Sequence, residues 1–403
     1  MFALIRTALI TLLFSSAAWS QQVSIKWDEG EHLQLGHDGS DLACDSLGIS
    51  TEKCPNKGIV RADKRYTFQY GEIVLSTDYY NGPDDFYADR TSNIVRIIKC
   101  GYREQSQQES QRQNGTDIPS CNATGIFAFP GYLEVVSKNY NHFGWNNMVA
   151  YVEFHGKALA LAQQSFKIKN SDPIQSKSLL NKALVYNGYA DHYLTDAFAS
   201  GHIRVPRIQV KQWAESHLNG LFKKSRGDLL TMFLHDSESM NLHTGKEQGL
   251  RVQNSRGDIW LTRGDGHLNL FAKDSDAIIL LPKLAVAESF KELLVAANEG
   301  ILPDGIYGAA PYVPFQDDMP LAEKLSPQNQ HVQHLTDVAK LMYAHLPFAD
   351  KLLFFKSDFT RMLDQLPNIF LKFRQDIAEE QANNPELHRR LSEKYLNAYL
   401  RVE

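Results

Sequence analysis

The densest set of metal-binding residue types in the chain lies between His192 and His202. His192 and Asp196 are four residues apart, so on an α-helix both side chains project from one face and can share a cation. His202 lies ten residues beyond His192, about 80° around the axis of the same helix, and follows Gly201. It therefore suits a neighbouring cation. Asp196 is a candidate bridging ligand because a carboxylate has two oxygens. Imidazole nitrogens combined with carboxylate oxygens favour zinc. For an isolated HxxxD spacing, the alternative is an exposed pair of side chains on a helix that binds no metal.

Two helices must position these residues. Apolar side chains recur at helical intervals over Met148–Ile168 and Ile174–Ala199, and the break at Asn170–Pro173 supplies a helix stop and an N-cap. The pattern predicts an antiparallel helical hairpin. The start of its first helix then lies beside the end of its second, which brings His142 toward His192.

Further candidates have weaker patterns. His155 lies 13 residues beyond His142, about 20 Å further along a helix, and is assigned to packing or surface. Asp78 has no metal signature of its own, and a turn aspartate is its alternative role. Downstream, His243 and Glu247 repeat the one-turn spacing, although Gly245 disfavours a helix between them.

In these motifs the chain resembles the bacterial zinc-dependent phospholipases C that act on phosphatidylcholine. The block from His192 to His202 matches their HxxxDxxxxxH helix, and His142, fifty residues upstream, matches a preceding histidine before phenylalanine. The segment Glu72–Tyr79 is similar to a further motif of that family. The resemblance covers roughly residues 70–80 and 140–205, and single-strand-specific zinc nucleases share it.

The resemblance implies two or three zinc ions. Asp78, His142, His192 and Asp196 would hold one ion, with Asp78 also orienting or deprotonating the attacking water. His202 would help to hold another, completed by an HxxxE pair such as His243 and Glu247, with His235 as the competing candidate. A third ion would use an amino-terminal tryptophan, for which Trp27 is the nearby residue, and an early histidine, either His32 or His37.

The resemblance implies a mainly helical, multi-helix bundle. The residues of Leu250–Leu270 themselves predict a small β-hairpin, which the resemblance does not cover. We expect a catalytic domain over residues 21–300, containing a disulfide-pinned insertion at 79–141, and a helical region at 301–403. Residues 21–65 are predicted to be irregular, and Tyr70–Ser76 to be a short helix. Further helices are expected at 208–224, 228–241, 276–300 and 332–403.

The sequence composition indicates the cellular compartment of the protein and restricts its possible binding partners. The first twenty residues have the order of a secretory signal, with a cut after Ser20, which predicts a secreted or periplasmic protein. Four cysteines would then form two disulfides, with short loops favouring Cys44–Cys54 and Cys100–Cys121. A net charge of -5 gives no basic surface for stable nucleic-acid binding. The chain is expected to be a monomer.

The function expected is hydrolysis of a phospholipid phosphodiester at a membrane surface, releasing diacylglycerol and a phosphorylated headgroup. Aromatic residues in the loop Ile301–Pro320 would contact lipid, or alternatively cap the core. A single-strand-specific zinc nuclease and a non-catalytic, zinc-stabilised binding protein are the alternative functions.

Overall fold

The computed structural model describes residues 29–62, 64–115, 121, 132–220, 223–316, 330–346, 351 and 355–400. In this part of the chain the fold is mainly helical, with fifteen α-helices and two short antiparallel sheets of two strands. The predicted class, a multi-helix protein with a small β-hairpin, is therefore confirmed. The predicted signal segment and Trp27 lie outside the described residues.

The helices are numbered in chain order. The amino-terminal set is α1 (Glu29–Ser46), α2 (Tyr70–Ser76), α3 (Pro83–Ala88), α4 (Asn93–Asn114) and α5 (Tyr132–Lys138). The central set is α6 (Trp145–Ile168), α7 (Pro173–Asp196), α8 (Arg207–His217), α9 (Lys223–Ser237) and α10 (Ala277–Glu299). The carboxy-terminal set is α11 (Gln330–His345), α12 (Lys356–Asp364), α13 (Leu366–Asn383), α14 (Pro385–Arg390) and α15 (Glu393–Leu400). The strands are β1 (Ile59–Val60), β2 (Thr67–Phe68), β3 (Leu250–Gln253) and β4 (Ile259–Thr262).

The centre of the fold is the hairpin of α6 and α7, as the apolar periodicity predicted. Asp172 caps α7, because its side chain accepts a hydrogen bond from the Gln175 N–H at 2.9 Å, and Pro173 occupies the first turn. The carboxy-terminal half of α7 is buried on all sides, from Ala183 to Asp196. Polar side chains in that stretch must therefore find partners inside the protein.

Helix α1 corrects the prediction that residues 21–65 are irregular. Its glycine-rich composition disfavours an isolated helix, but the glycines allow close packing. A Cβ atom on Gly36 would lie 2.7 Å from the Gly71 Cα atom, and one on Gly39 would lie 2.5 Å from Val286 Cγ1. Tertiary packing against α2 and α10 thus stabilises a segment that local propensity does not.

The predicted insertion at 79–141 contains the long helix α4, which packs through Ile94, Ile97 and Ile98. The polar run Gln105–Gln113 lies within this helix. Both predicted disulfides are present, Cys44–Cys54 at the end of α1 and Cys100–Cys121 on α4.

The aromatic loop after α10 packs inward. Tyr307, Val313 and Phe315 are buried, and the backbone of Phe315 pairs with Gln253 of β3. Of the two roles considered from sequence, contact with lipid and capping of the core, these side chains have the second. No helix in the described ranges has both the length and the apolar character required to cross a bilayer.

Candidate metal centre

Four side chains from three segments of the chain meet at the carboxy-terminal end of α7. His192 and Asp196 come from α7 itself, Asp78 from the 3-10 turn after α2, and His142 from the 3-10 turn before α6. We call these four residues the first cluster. Each is at most 3% exposed. The structure thus brings together the two ends of the helical hairpin and the turn after α2, as the sequence predicted.

The ligand-type atoms of the first cluster are spaced as they would be around one ion. His142 Nδ1 lies 2.8 Å from Asp196 Oδ2, 3.0 Å from His192 Nε2 and 3.5 Å from Asp78 Oδ1. His192 Nε2 lies 3.3 Å from Asp196 Oδ2 and 3.5 Å from Asp78 Oδ1. Zinc bonds to nitrogen and oxygen are about 2.0–2.1 Å long, so the ligands of a tetrahedral site lie about 3.3 Å apart. The distances that join His142 and His192 to each other and to the two carboxylates are close to that spacing.

Hydrogen bonding does not account for these atoms. Asp78 Oδ1 and Asp196 Oδ2 are buried and make no hydrogen bond of acceptable geometry with the described residues, although imidazole nitrogens lie close to both. A buried carboxylate oxygen is costly to leave unsatisfied. The short distances and unfavourable angles are those of atoms directed at a shared point between them.

The second cluster consists of His202, His235 and Asp265. Asp265 Oδ2 lies 3.1 Å from His202 Nε2 and 3.2 Å from His235 Nε2. His235 and Asp265 each keep 13% side-chain exposure, so this cluster reaches solvent more than the first does. Two imidazole nitrogens and a carboxylate oxygen with access to water are the ligand set of an open zinc site.

Asp265 was missed by the sequence analysis. It lies on the turn after the β3–β4 hairpin, which attaches to the end of α7 because Ser200 N–H donates to the Arg263 carbonyl at 2.9 Å. Buried Glu31 of α1 accepts hydrogen bonds from Gly266 N–H at 3.1 Å and Leu268 N–H at 2.8 Å. The available signal was an acidic residue between two glycines, which indicates a turn and not a ligand.

Asp196 connects the two clusters. Its Oδ2 faces the first cluster, while its Oδ1 lies 3.3 Å from His202 Nδ1 and 3.5 Å from His32 Nε2. His32, His192 and Asp196 form a third group of ligand-type atoms, and His32 is 14% exposed. Because His202 turns Nδ1 toward Asp196 and Nε2 toward Asp265, Asp196 Oδ1 is joined to the second cluster only through the His202 ring. Of the two early histidines it is His32 that lies at the site. His37 contacts Tyr102 instead, at 3.3 Å.

Outer hydrogen bonds orient three of the imidazoles. His192 Nδ1 lies 3.0 Å from the Val74 carbonyl, His32 Nδ1 lies 2.8 Å from Thr195 Oγ1, and His235 Nδ1 lies 2.8 Å from Asp236 Oδ1. Each partner oxygen can accept a hydrogen bond from an Nδ1–H group, which leaves Nε2 as the nitrogen with the lone pair. In all three residues it is Nε2 that faces the carboxylates, which is the arrangement usual for metal-ligating histidines.

Gly201 is required by the close approach of His235. A Cβ atom at this position would lie 2.3 Å from His235 Cδ2, which is closer than carbon atoms can approach. The glycine between Asp196 and His202 therefore makes room for an imidazole from α9.

The candidates His243 and Glu247 lie elsewhere. His243 is exposed in a turn, and Glu247 pairs with Met240 in an isolated bridge, so no helix sets the one-turn spacing expected between them. Glu247 Oε1 accepts a hydrogen bond from Gly264 N–H at 3.3 Å, which places this carboxylate against the Asp265 turn. Neither residue belongs to a group of converging ligand atoms in the described chain.

Cys100, Glu104 and Cys121 form another such group, but both sulfurs are bonded in a disulfide and offer no thiolate. His155 is buried, with Nδ1 2.6 Å from Asn187 Oδ1 and Nε2 2.9 Å from Glu292 Oε2. It has the packing role expected for it.

The charges of the clusters are strongly coupled. Burial by itself lowers the pKa of His192, but the Asp196 and Asp78 carboxylates outweigh burial and raise it to about 9. For His202 and His235 burial likewise opposes protonation, yet nearby carboxylates raise both pKa values, that of His235 to about 9. The imidazoles of His192, His202 and His142 hold the pKa of Asp196 well below its usual range, despite its burial. Without a metal ion, the protonated imidazoles thus neutralise the carboxylates of the clusters. A bound cation would neutralise them instead.

This coupling predicts a pH dependence of stability without metal. The raised pKa values of His192 and His235 contribute stability that is complete below pH 6.5 and is lost as pH rises through about 9. We expect the melting temperature of chelator-treated protein to fall over this window. Zinc-loaded protein should lose less, because the ion replaces the protons. Melting temperatures that change equally with pH from 6.5 to 9 in the chelator-treated and the zinc-loaded protein would contradict the expectation.

Replacing His235 or His243 by alanine separates the two sequence-based candidates for the second ion. His235→Ala is expected to lower the zinc content by one equivalent, since it removes a nitrogen that converges with His202 and Asp265. His243→Ala is the matched control and should leave the zinc content unchanged. Elemental analysis of both variants checks this, and loss of zinc in the His243 variant alone would reverse the assignment.

The fold and the clusters together define a mainly helical protein with a candidate site for several metal ions. No family model, no curated protein and no solved structure matches the chain.

Proposed function

We propose that the protein is a zinc-dependent phosphodiesterase. The observation that carries the proposal is that two groups of imidazole nitrogens and carboxylate oxygens lie side by side at the end of α7, joined by the contact of Asp196 Oδ1 with the His202 ring. Asp78, His142, His192 and Asp196 would hold one ion, and His202, His235 and Asp265 a second. His32 with Asp196 Oδ1 is the candidate for a third. When bound, clustered zinc ions polarise phosphoryl oxygens and lower the pKa of bound water.

The protein's own residues orient the ligands and control access. The first cluster is closed to solvent, whereas His32, His235 and Asp265 are partly exposed. Substrate would therefore approach from the side of the second cluster. Asp78 is the candidate for orienting the attacking water, because its Oδ1 faces the first cluster and makes no hydrogen bond there.

The substrate proposed is the glycerol-side phosphodiester of a phospholipid such as phosphatidylcholine. The support is the resemblance of the motifs around His142, His192 and His202 to the zinc phospholipases C. The aromatic loop after α10 gives no support, because its Tyr307, Val313 and Phe315 side chains are buried in the core. We further propose that the protein acts outside the cytoplasm, where the disulfides Cys44–Cys54 and Cys100–Cys121 would persist.

The test is a comparison of substrates on zinc-loaded protein. Phosphatidylcholine vesicles, vesicles of other phospholipids and single-stranded DNA are offered separately, and the products are identified by mass spectrometry. Release of diacylglycerol and a phosphorylated headgroup is the expected result. Release of nucleotides would replace the lipid assignment by the nuclease, and absence of any product from zinc-saturated protein would favour a binding protein.

A further inference from the structure

A buried guanidinium that has no partner among the described residues lies outside the candidate metal centre. Arg374, on α13, is 6% exposed. Its Nη1 atom is fully buried and makes no hydrogen bond, and no ion pair or hydrogen bond joins Arg374 to any described residue. Nε and Nη2 likewise have no hydrogen bond but are not sealed from solvent. The group therefore lies where a small solute can reach it.

The other buried arginines in the described chain show what a structural role looks like. Arg61 pairs with Asp89 at 2.7 Å, Arg226 with Asp358 at 2.6 Å, and Arg390 donates to the carbonyls of Pro303 and Gly305 at 2.8 and 3.0 Å. Arg207 donates to the Val136 carbonyl at 2.6 Å. Arg374 is the exception among them, so packing alone does not explain its charge.

No carboxylate in the described chain forms an ion pair with Arg374. The buried Glu238 carboxylate is bonded instead to Arg204, whose Nε donates to Oε2 at 3.0 Å. The His331 ring lies 5.7 Å from that of Phe370 on α13. Burial, followed by the charges of Arg204, His334 and Arg374, lowers the pKa of His331 well below its usual range. The charge of Arg374 therefore has no counter-charge among the described residues.

We propose that the unpaired guanidinium of Arg374, on the helix that packs against His331, binds an oxyanion. A guanidinium presents parallel N–H groups that match two oxygens of one carboxylate, phosphate or sulfate group, and such bonds are strongest away from bulk water. The ligand class is therefore an anion with two acceptor oxygens on one atom, and not a halide. This inference does not depend on the proposed hydrolase activity.

The experiment compares the zinc-loaded wild type with two variants of the full chain. Arg374→Met removes the charge but keeps a long apolar side chain, and Lys372→Met is the control, because Lys372 is exposed on the same helix. Melting temperatures are measured in sodium chloride, sodium sulfate and sodium acetate at equal ionic strength. Sulfate stabilises proteins in general, so the quantity of interest is the difference between variants.

The rise in melting temperature from chloride to sulfate or acetate is the quantity compared. It should be at least about 2 °C larger in the wild type and in Lys372→Met than in Arg374→Met. In chloride, Arg374→Met should melt no lower than the wild type, because it removes an unpaired buried charge. Equal anion responses in all three proteins would overturn the proposal.

Arg374→Lys covers the case in which the methionine variant does not fold. Lysine keeps the charge but cannot donate two parallel hydrogen bonds, so its anion response should be smaller than that of the wild type. A full response in Arg374→Lys would also overturn the proposal.

Discussion

Replacing Asp196 by asparagine is expected to lower kcat/KM for phosphodiester hydrolysis by at least about 100-fold. Mutation of residues that only orient metal ligands already lowers activity by up to about 100-fold. Both oxygens of Asp196 face imidazoles, Oδ2 toward His142 and His192 and Oδ1 toward His202. An amide supplies one weaker oxygen and no charge, so the zinc content should fall by more than one equivalent. Steady-state kinetics and elemental analysis on the same preparation measure both effects.

Asp191 provides the matched control on the same helix. It is equally buried but accepts hydrogen bonds from Tyr70 and Ser289, both at 2.5 Å, and burial raises its pKa to about 7. Asp191→Asn should lower the melting temperature, because an amide N–H would meet a hydroxyl donor, yet leave the zinc content unchanged. Equal zinc content in the Asp191 and Asp196 variants would remove Asp196 from the ligand set.

Chelation is expected to have the second large effect, complete loss of hydrolysis together with loss of stability. At about 1,000 times its dissociation constant a ligand stabilises a protein by about 4 kcal/mol, so removal should lower the melting temperature by about 5 °C or more. The cause is the set of buried carboxylate oxygens, such as those of Asp78 and Asp196, that no hydrogen bond satisfies. Activity assays and calorimetry before and after dialysis against chelator measure the two losses.

Added zinc should restore both activity and stability, whereas magnesium should restore neither, because it prefers six oxygen ligands and the clusters are rich in imidazole. Full activity in protein that elemental analysis shows to be free of metal would refute the proposed chemistry. Unchanged melting temperature would mean that the clusters are formed without any ion.

The parts of the fold that were predictable have strong local signals. The hairpin of α6 and α7 combines apolar periodicity with the Asp172 cap, and Tyr70–Ser76 is a helix as predicted. Helix α1 was not predictable, because its glycines disfavour a helix locally and are explained only by contacts with Gly71 and Val286. Its stability comes from packing partners distant in sequence.

The candidate site follows the same division. Asp78, His142, His192 and Asp196 lie together in the first cluster, and His202 contacts Asp196 from the second, because one helical hairpin and the turns beside it position most of them. Asp265 could not be found from spacing, since it follows His202 by a long stretch that includes two helices and a β-hairpin. His243 and Glu247 had the expected spacing but not the helix that would give it meaning.

The different burial of the two clusters has a consequence for exchange rates. Asp78 and His142 are 3% exposed, whereas His235 and Asp265 are 13% exposed. An ion in the second cluster could leave by small local openings, while one in the first would wait for separation of α6 and α7, the most deeply packed pair in the molecule. Isotopically labelled zinc would then replace bound zinc in two phases, and the slower phase would keep time with global unfolding.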